Sequence, residues 1–275
     1  MAAITAKDVN ELRKKTGAGM MDCKNALTEA NGDLDAAVDL LRKQGQKVAA
    51  KRGDRDASEG LVIAKTNTDG SKGYLISINC ETDFVAKNED FGKFANAILT
   101  VAMENNIGNT ADLMKAAYDT KLSIADKITE QTGVIGEKIE VAGLEIIEST
   151  NVVAYNHPGN QIATLVGLTA KAEDEGRQVA MQVAAMNPIA LDESHVSAEI
   201  IAKEVEIGKE LAIQEGKPAE MAEKIAQGRL KKFFKETTLL NQQFIRDNKV
   251  TVSEFLKSVN PDLTVTDFKR ISLSN

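Results

Sequence analysis

The side chains that most often carry enzymatic chemistry are few in this chain and lie in unlike segments. Its cysteines and histidines are Cys23, Cys80, His157 and His195, and neither histidine lies at metal-ligand spacing from a cysteine. This pattern indicates neither a disulfide framework nor a zinc site. We therefore expect no metal site and no cofactor.

Catalytic motifs are also missing from the sequence. It has no Gly-x-Ser-x-Gly elbow and no His-Glu-x-x-His pair. The acidic pair Glu89-Asp90 lies where a helix should begin, a place where carboxylates stabilise the helix dipole. TGAGMMDCK at 16–24 lacks the spacing and the ending of a phosphate-binding loop. We predict that the chain is not an enzyme and has no catalytic residues.

The most unusual stretch is NCETDFVAKNEDF at 79–91. Asp83 and Phe84 stand there between a predicted strand and a predicted helix, in a chain with only 4% aromatic residues. The burial preference of phenylalanine favours a core position for Phe84. The alternation of residues does not decide whether the ring is buried or exposed. Because the sequence lacks catalytic motifs, it favours a protein-interaction function.

Charge and hydropathy exclude two classes of function. The chain has 34 Lys and Arg against 41 Asp and Glu, a net charge of −7, which argues against general nucleic-acid binding. Its apolar runs are far shorter than the ~18 residues that span a bilayer. The N-terminus has no signal-peptide pattern, so we expect a cytoplasmic protein without membrane or direct nucleic-acid partners.

The first predicted domain, residues 1–45, has three helices. Thr5 and Asp8 have the spacing of a capping box before the apolar positions Val9 and Leu12. A second helix is predicted from about residue 22 to residue 30. Asp33 should cap a third helix, which has one apolar stripe.

Met20 and Met21 follow two glycines in the predicted turn between the first two helices. We expect one of these methionines to pack inward. The other is a candidate partner contact, because methionine adapts well to binding surfaces. Residues 46–59, which are polar and contain glycine, are interpreted as a linker.

A hairpin followed by a helix occurs twice in the middle of the chain. The first copy lies in a predicted half-core at 60–148 and the second in a half-core at 149–196. Residues 197–236 predict an antiparallel helical hairpin that projects from the body, with Ile201, Val205 and Leu211 facing Met221 and Ile225. Residues 237–275 are expected to return to the core. The predicted fold class is α+β, with antiparallel sheets in a duplicated core.

Two segments, LRKKTGAGMMDCKNAL at 12–27 and NCETDFVAKNEDF at 79–91, resemble the signature segments of the bacterial elongation factor Ts family. The order of the predicted parts also resembles that family over nearly the whole chain. Members are guanine-nucleotide exchange factors of elongation factor Tu. The resemblance implies a function in translation elongation, with elongation factor Tu, GDP-bound or nucleotide-free, as the partner.

The resemblance also implies the partner-binding residues. Asp83 and Phe84 would stand out from the core as a wedge against the partner's nucleotide domain, which reverses the burial preference of Phe84. The candidate contacts are Thr82, Asp83, Phe84 and Val85 at the wedge, Leu12, Arg13, Thr16, Gly17, Met20 and Met21 in the N-terminal domain, and, as weaker candidates from the core, Ile135 and His157. The resemblance leaves open whether the complex dimerises through the helical hairpin.

The competing class is a non-catalytic adaptor or scaffold. Such a protein would use the three-helix unit and the helical hairpin to bind other proteins. An adaptor would bind a partner without changing the rate at which that partner releases nucleotide.

Overall fold

The computed structural model describes residues 4–273. The first three residues of the predicted N-terminal domain and the last two of the predicted C-terminal segment lie outside that range. The helices are α1 Ala6–Thr16, α2 Met20–Glu29, α3 Leu34–Arg52, α4 Asp83–Ala86, α5 Glu89–Glu104, α6 Thr110–Lys115, α7 Ile124–Ile135, α8 Glu173–Met186, α9 Ala198–Gln214, α10 Ala219–Thr237 and α11 Val252–Val259. The strands are β1 Glu59–Thr66, β2 Lys72–Cys80, β3 Ile139–Glu148, β4 Asn151–Asn156, β5 Ile162–Leu168, β6 Gln243–Phe244, β7 Asp247–Thr251 and β8 Val265–Ser272. The α+β fold class is confirmed.

Two units of structure can be distinguished along the chain. One comprises Met1–Ile63, Ile76–Glu145 and Ser272–Asn275, and the other Ala64–Leu75 and Ile146–Ile271. Within residues 4–273, no helix is both long and apolar enough to cross a lipid bilayer. The six sequence-based segments stay predictions as domain divisions.

The N-terminal helices form as their local signals predict. Thr5 and Asp8 make the predicted capping box at the start of α1, and Val9 and Leu12 are buried. Gly17, with φ of 74°, ends α1 in the left-handed region, where glycine carries no steric penalty. Short-range hydrogen bonding is therefore enough to define this helix.

Helix α2 begins earlier than the sequence predicts. Its first residue is Met20, and the N-cap is Gly19, so both methionines belong to the helix and not to a turn. Met20 is 56% exposed and Met21 is 64% exposed. The prediction that one of them packs inward is wrong, because Cys23, Ala26 and Leu27 are the buried residues of α2 and neither methionine is buried with them.

Helix α3 is longer than predicted. It continues to Arg52, so residues 46–52 of the predicted linker are helical. That stretch, QKVAAKR, is rich in good helix formers and has no glycine or proline. Its polarity and the nearby glycines suggested a loop, but helix propensity prevails up to Gly53.

Two glycines let α3 and α7 cross closely within the first unit. A Cβ atom on Gly133 would lie 2.3 Å from the Cα atom of Gly45, so Gly133 tolerates no side chain without movement of the backbone. Arg42 of α3 reaches Asp126 of α7 at 2.9 Å. The three-helix module is thereby packed against α7.

The predicted repeat is present in the structure as two three-stranded sheets, ordered β1-β2-β3 and β4-β5-β8. In the first copy α5 buries Phe91, Phe94 and Ile98 as predicted. In the second, β4 and β5 are antiparallel and α8 buries Val179 and Val183 in a core shared with those strands. The copies differ in their third strand, because β8 comes from the C-terminal tail.

The helical hairpin packs through small side chains. Gly208 and Ala212 of α9 and Ala222 and Ala226 of α10 are buried. The predicted apolar seam is wrong in part, because Leu211 and Met221 are 39% and 51% exposed. A Cβ atom on Gly208 would lie 3.1 Å from the Cα atom of Ala226, so the helix backbones approach closely and large side chains are turned outward.

Two glycines of this hairpin form a matched pair for a stability test. Gly208→Leu should destabilise the protein by about 1–3 kcal/mol, because a large side chain must force α9 and α10 apart. Gly228→Leu should instead stabilise α10 slightly, by about 0.5–1 kcal/mol, because no atom lies within 4 Å of a Cβ at that position. Urea unfolding of both variants measures the difference, and equal effects would contradict the packing described.

Candidate functional site

The junction between β2 and α5 presents an aromatic ring to solvent. Strand β2 ends at Cys80, and the short helix α4 carries Phe84 in its first turn. The ring of Phe84 is 84% exposed, the highest exposure of a large apolar side chain in residues 4–273. We call residues 81–87 the Phe84 corner. Its exposure agrees with the resemblance and reverses the burial preference of phenylalanine.

Asp83 places a negative charge next to this ring. Its carboxylate accepts a hydrogen bond of 2.6 Å from Lys87, one helical turn later. This bond lowers the pKa of Asp83, so the group is charged at neutral pH. Val85 is half-buried. The corner therefore offers an exposed ring and a charged carboxylate side by side.

Thr82 is held at three points. Its backbone N–H donates to one carboxylate oxygen of Glu137 at 3.0 Å, and its hydroxyl donates to the other at 2.7 Å. Its carbonyl accepts from the thiol of Cys80, with an Sγ–O distance of 3.2 Å. The side chain does not cap α4, because its hydroxyl is directed to Glu137 instead.

Glu81 is held by two other elements of the first unit. Arg52, the last residue of α3, donates from Nη1 to both carboxylate oxygens at 2.9 and 2.8 Å. The backbone N–H of Lys138 donates to the same carboxylate at 2.6 Å. The Lys138 bond, followed by the contacts with Arg52, lowers the pKa of Glu81.

Cys80 is a structural residue. It is fully buried, and burial raises the pKa of its thiol to about 12. The thiol is therefore protonated at neutral pH and keeps its proton for the bond to Thr82. A thiolate nucleophile is not available at this position.

A groove beside the corner joins candidates from three segments. Gly17 of the three-helix module, Val85 of α4 and Ile135 of α7 line it. Its volume is about 640 Å³, and the buried residues Phe91 and Phe94 form part of its wall. Within the first unit, the structure thus brings together residues that lie far apart in the sequence.

The remaining N-terminal candidates differ in accessibility. Arg13, Met20 and Met21 are exposed. Leu12 is fully buried in the core of the module, so its side chain is not presented at the surface. Thr16 donates its hydroxyl to the carbonyl of Leu12 at 2.8 Å. Leu12 therefore supports the exposed residues from the core, whereas Thr16 is half-buried and only partly accessible.

His157 lies in the second unit, at the turn between β4 and β5. Its Nδ1 atom lies 3.0 Å from the hydroxyl of Tyr155, and its side chain is exposed. The pair fits a polar contact surface. Among residues 4–273, the recorded side-chain hydrogen-bond partner of His157 is Tyr155 and not a carboxylate.

The other histidine belongs to a cluster that resembles a catalytic triad only in composition. Nδ1 of His195 lies 2.8 Å from Asp192 and 3.2 Å from the hydroxyl of Ser194. One ring nitrogen therefore meets both partners, whereas a serine–histidine–aspartate relay needs one partner on each nitrogen. No group of metal-ligating side chains is found in the residues that the structure describes.

Comparisons with known proteins agree with these observations. A family model described as Elongation factor TS matches residues 81–275. The chain is 54% identical to Elongation factor Ts of Christiangramia forsetii, an alignment that covers 99% of this chain and 100% of that one. It is 50% identical to Elongation factor Ts of Amoebophilus asiaticus, with 98% of each chain covered. The chain is similar to Elongation factor Ts of Cytophaga hutchinsonii at 44% identity over both full lengths.

These full-length matches define the class of protein as a translation elongation factor. The chain belongs to the elongation factor Ts family. The identification from the two signature segments is confirmed.

Sequence reasoning gave no role to Arg52, Glu81 or Glu137. Arg52 and Glu81 are 29 residues apart, and Thr82 and Glu137 are 55 residues apart. Separations of this size leave no local spacing signal. Glu81 lies within the segment 79–91 already singled out, and Glu137 lies two residues after the candidate Ile135.

The environment of Glu81 predicts a pH-dependent contribution to stability. Its pKa is lowered on folding, so its stabilisation is present above its unfolded pKa near 4.5 and is lost as the pH falls through the folded value. Glu81→Gln should therefore cost about 1–2 kcal/mol at pH 7. The difference from the wild type should shrink when urea unfolding is measured in acid.

Glu140→Gln is the matched control for this experiment. Its carboxylate is 41% exposed and pairs with the Lys138 ammonium at 3.1 Å, without contact to Glu81. An exposed pair of this kind contributes little, so the change should stay within about 0.5 kcal/mol. A deficit of Glu81→Gln that is the same at neutral and acidic pH would contradict the prediction.

Proposed function

We propose that this protein is a guanine-nucleotide exchange factor that binds elongation factor Tu and promotes release of GDP, which allows GTP to bind. The exposed ring of Phe84 is the observation that carries the proposal. Water contact with a large apolar side chain is unfavourable, and an exposed ring of this kind marks an interaction site when other candidates surround it. Members of the family use the matching residue as a wedge.

The proposed interface continues from the Phe84 corner across the first unit. The groove lined by Gly17, Val85 and Ile135 adds apolar surface, and Met20 and Met21 add adaptable exposed side chains. We propose that the nucleotide domain of elongation factor Tu covers these three features. His157 is a weaker proposed contact from the second unit.

The mechanism follows from thermodynamic linkage. If the factor binds nucleotide-free partner more tightly than GDP-bound partner, it must weaken GDP binding by the same ratio. A ring inserted at the centre of an interface contributes ~2–4 kcal/mol. Phe84 would therefore supply a large part of the energy, and Asp83 would act beside the bound magnesium ion of the partner, as the family implies.

No chemical reaction of the chain itself is needed for this function. The factor would accelerate dissociation of a ligand held by another protein, without a cofactor and without direct contact with nucleic acid. Bacterial protein synthesis takes place in the cytoplasm, where we propose that the factor acts. Dimerisation of the complex through the helical hairpin stays a prediction.

Loss of the exposed ring should abolish most of the exchange activity. We expect Phe84→Ala to lower the stimulated release rate of fluorescent GDP from elongation factor Tu by about tenfold or more. The rate is measured by chasing with excess GDP, with and without the factor. Asp83→Ala combined with Phe84→Ala should remove still more of the stimulation.

Val259→Ala is the control for removing an exposed apolar side chain. Val259 is 52% exposed in the second unit and lies outside the proposed interface, so this variant should stimulate release as the wild type does. If the folded Phe84→Ala variant stimulated GDP release as strongly as the wild type, the wedge mechanism would be contradicted.

The methionine pair should affect binding more than the maximal rate. We expect Met20→Ala combined with Met21→Ala to raise the factor concentration needed for half-maximal GDP release by about five- to tenfold, because two adaptable apolar contacts are lost. Met186→Ala, at a methionine that is 45% exposed in the second unit, is the control and should behave as the wild type. Equal effects of both variants would contradict this role.

An adaptor function is the second candidate. The observation that favours it is the row of exposed Ile200, Ile207 and Leu211 on α9, which falls on one face of the helix at 100° per residue. An adaptor would bind elongation factor Tu without changing its rate of GDP release. The release experiment with the wild-type protein therefore discriminates between the two functions.

A further inference from the structure

We propose that Glu137 is a positioning residue for exchange, because its carboxylate fixes Thr82 and thereby the direction of the Phe84 ring. This inference rests on the proposed function, and it adds a residue that does not touch the ring itself. Both carboxylate oxygens of Glu137 are engaged by Thr82, one by the backbone N–H at 3.0 Å and one by the hydroxyl at 2.7 Å.

Helix α4 itself has little that could orient the ring of Phe84. Helix α4 has four residues, none of them buried, whereas an isolated helix needs roughly 12–15 residues to be even marginally stable in water. The ion pair of Asp83 with Lys87 is exposed on both sides, with side-chain exposures of 44% and 76%. Pairs of this kind add little rigidity. The direction of Phe84 must therefore be set from outside α4.

Glu137 is well placed to supply that constraint. It follows Gly136, whose φ of 79° ends α7 in the left-handed region and turns the chain toward the corner. Its neighbour Lys138 donates its backbone N–H to Glu81 at 2.6 Å. Two consecutive residues after α7 thus hold two consecutive residues before α4.

The geometry also explains why Thr82 leaves its expected role. A threonine at the N-cap normally accepts a bond from its own helix, but here the hydroxyl donates to Glu137. Instead of capping its own helix, Thr82 hydrogen-bonds to a residue 55 positions later in the sequence. A charged acceptor makes this tie stronger than a neutral one.

The test compares variants in the GDP release assay after their folding has been checked by circular dichroism. We expect Glu137→Ala and Thr82→Val to lower the maximal stimulated rate by about tenfold, with a smaller change in the concentration for half-maximal release. Thr82→Ser keeps both donors and should retain most of the activity. Glu140→Gln is the control for loss of a nearby carboxylate and should act as the wild type.

A double-mutant cycle with Phe84→Ala separates positioning from general stability. If Glu137 acts through the ring, Glu137→Ala should lower the rate no further in a Phe84→Ala background. Full activity of folded Glu137→Ala, or effects of the two substitutions that multiply, would overturn the proposal. If Glu137→Ala does not fold, Thr82→Val tests the proposal by the same criteria.

Amide hydrogen exchange keeps this inference separate from the proposed function. Measured without a partner, Glu137→Ala should increase the rate of amide hydrogen exchange at Thr82 and through residues 83–87 by about tenfold. Unchanged protection of these amides would overturn the positioning role of Glu137. If the wild type does not accelerate GDP release, the proposed function fails. The positioning role of Glu137 is then tested by amide hydrogen exchange alone.

Discussion

An aromatic ring held in water on a single helical turn needs support from outside that turn, and the first unit supplies it at Glu81 and Thr82. Strand β2 ends at Cys80, whose thiol holds the carbonyl of Thr82. The end of α7 brings Glu137 to the N–H and hydroxyl of Thr82. The end of α3 brings Arg52 to Glu81. The ends of three elements therefore meet at two residues, and the direction of Phe84 depends on all three.

Close helix packing makes this meeting of ends feasible. Gly45 and Gly133 let the backbones of α3 and α7 touch, and each helix then runs on toward the corner. Arg52 lies seven residues beyond Gly45, about 10 Å along α3, and Glu137 lies four residues beyond Gly133. A side chain at Gly133 would force the two backbones apart and displace one helix end from its carboxylate or threonine partner. The hairpin of α9 and α10 also uses a glycine, Gly208, for close approach of two helix backbones. There the close approach turns large side chains outward and does not position a helix end.

Local signals in the sequence predict most of the secondary structure and little of the site. The capping box at Thr5, the break after α1 at its two glycines and the hairpin-plus-helix repeat follow from short-range hydrogen bonding, backbone preference and periodicity, and all are present. The extension of α3 was missed because polar composition suggested a linker where helix propensity was decisive. The exposure of Phe84 opposes its burial preference, so only the family resemblance indicated it. The contacts of Glu137 and Arg52 join distant segments, and no spacing rule reaches across such separations.

Three groups in and next to the corner keep their protonation state near neutral pH. The pKa of Glu81 and that of Asp83 are lowered, so both stay ionised, while the pKa of Cys80 is raised to about 12 and its thiol keeps its proton. None of these three groups changes state around pH 7, so the bonds they make persist. A ring held in one direction before binding loses less conformational entropy when a partner covers it. Control of exchange would then come from the nucleotide state of the partner, through the differential affinity that linkage requires, and not from a switch within this corner.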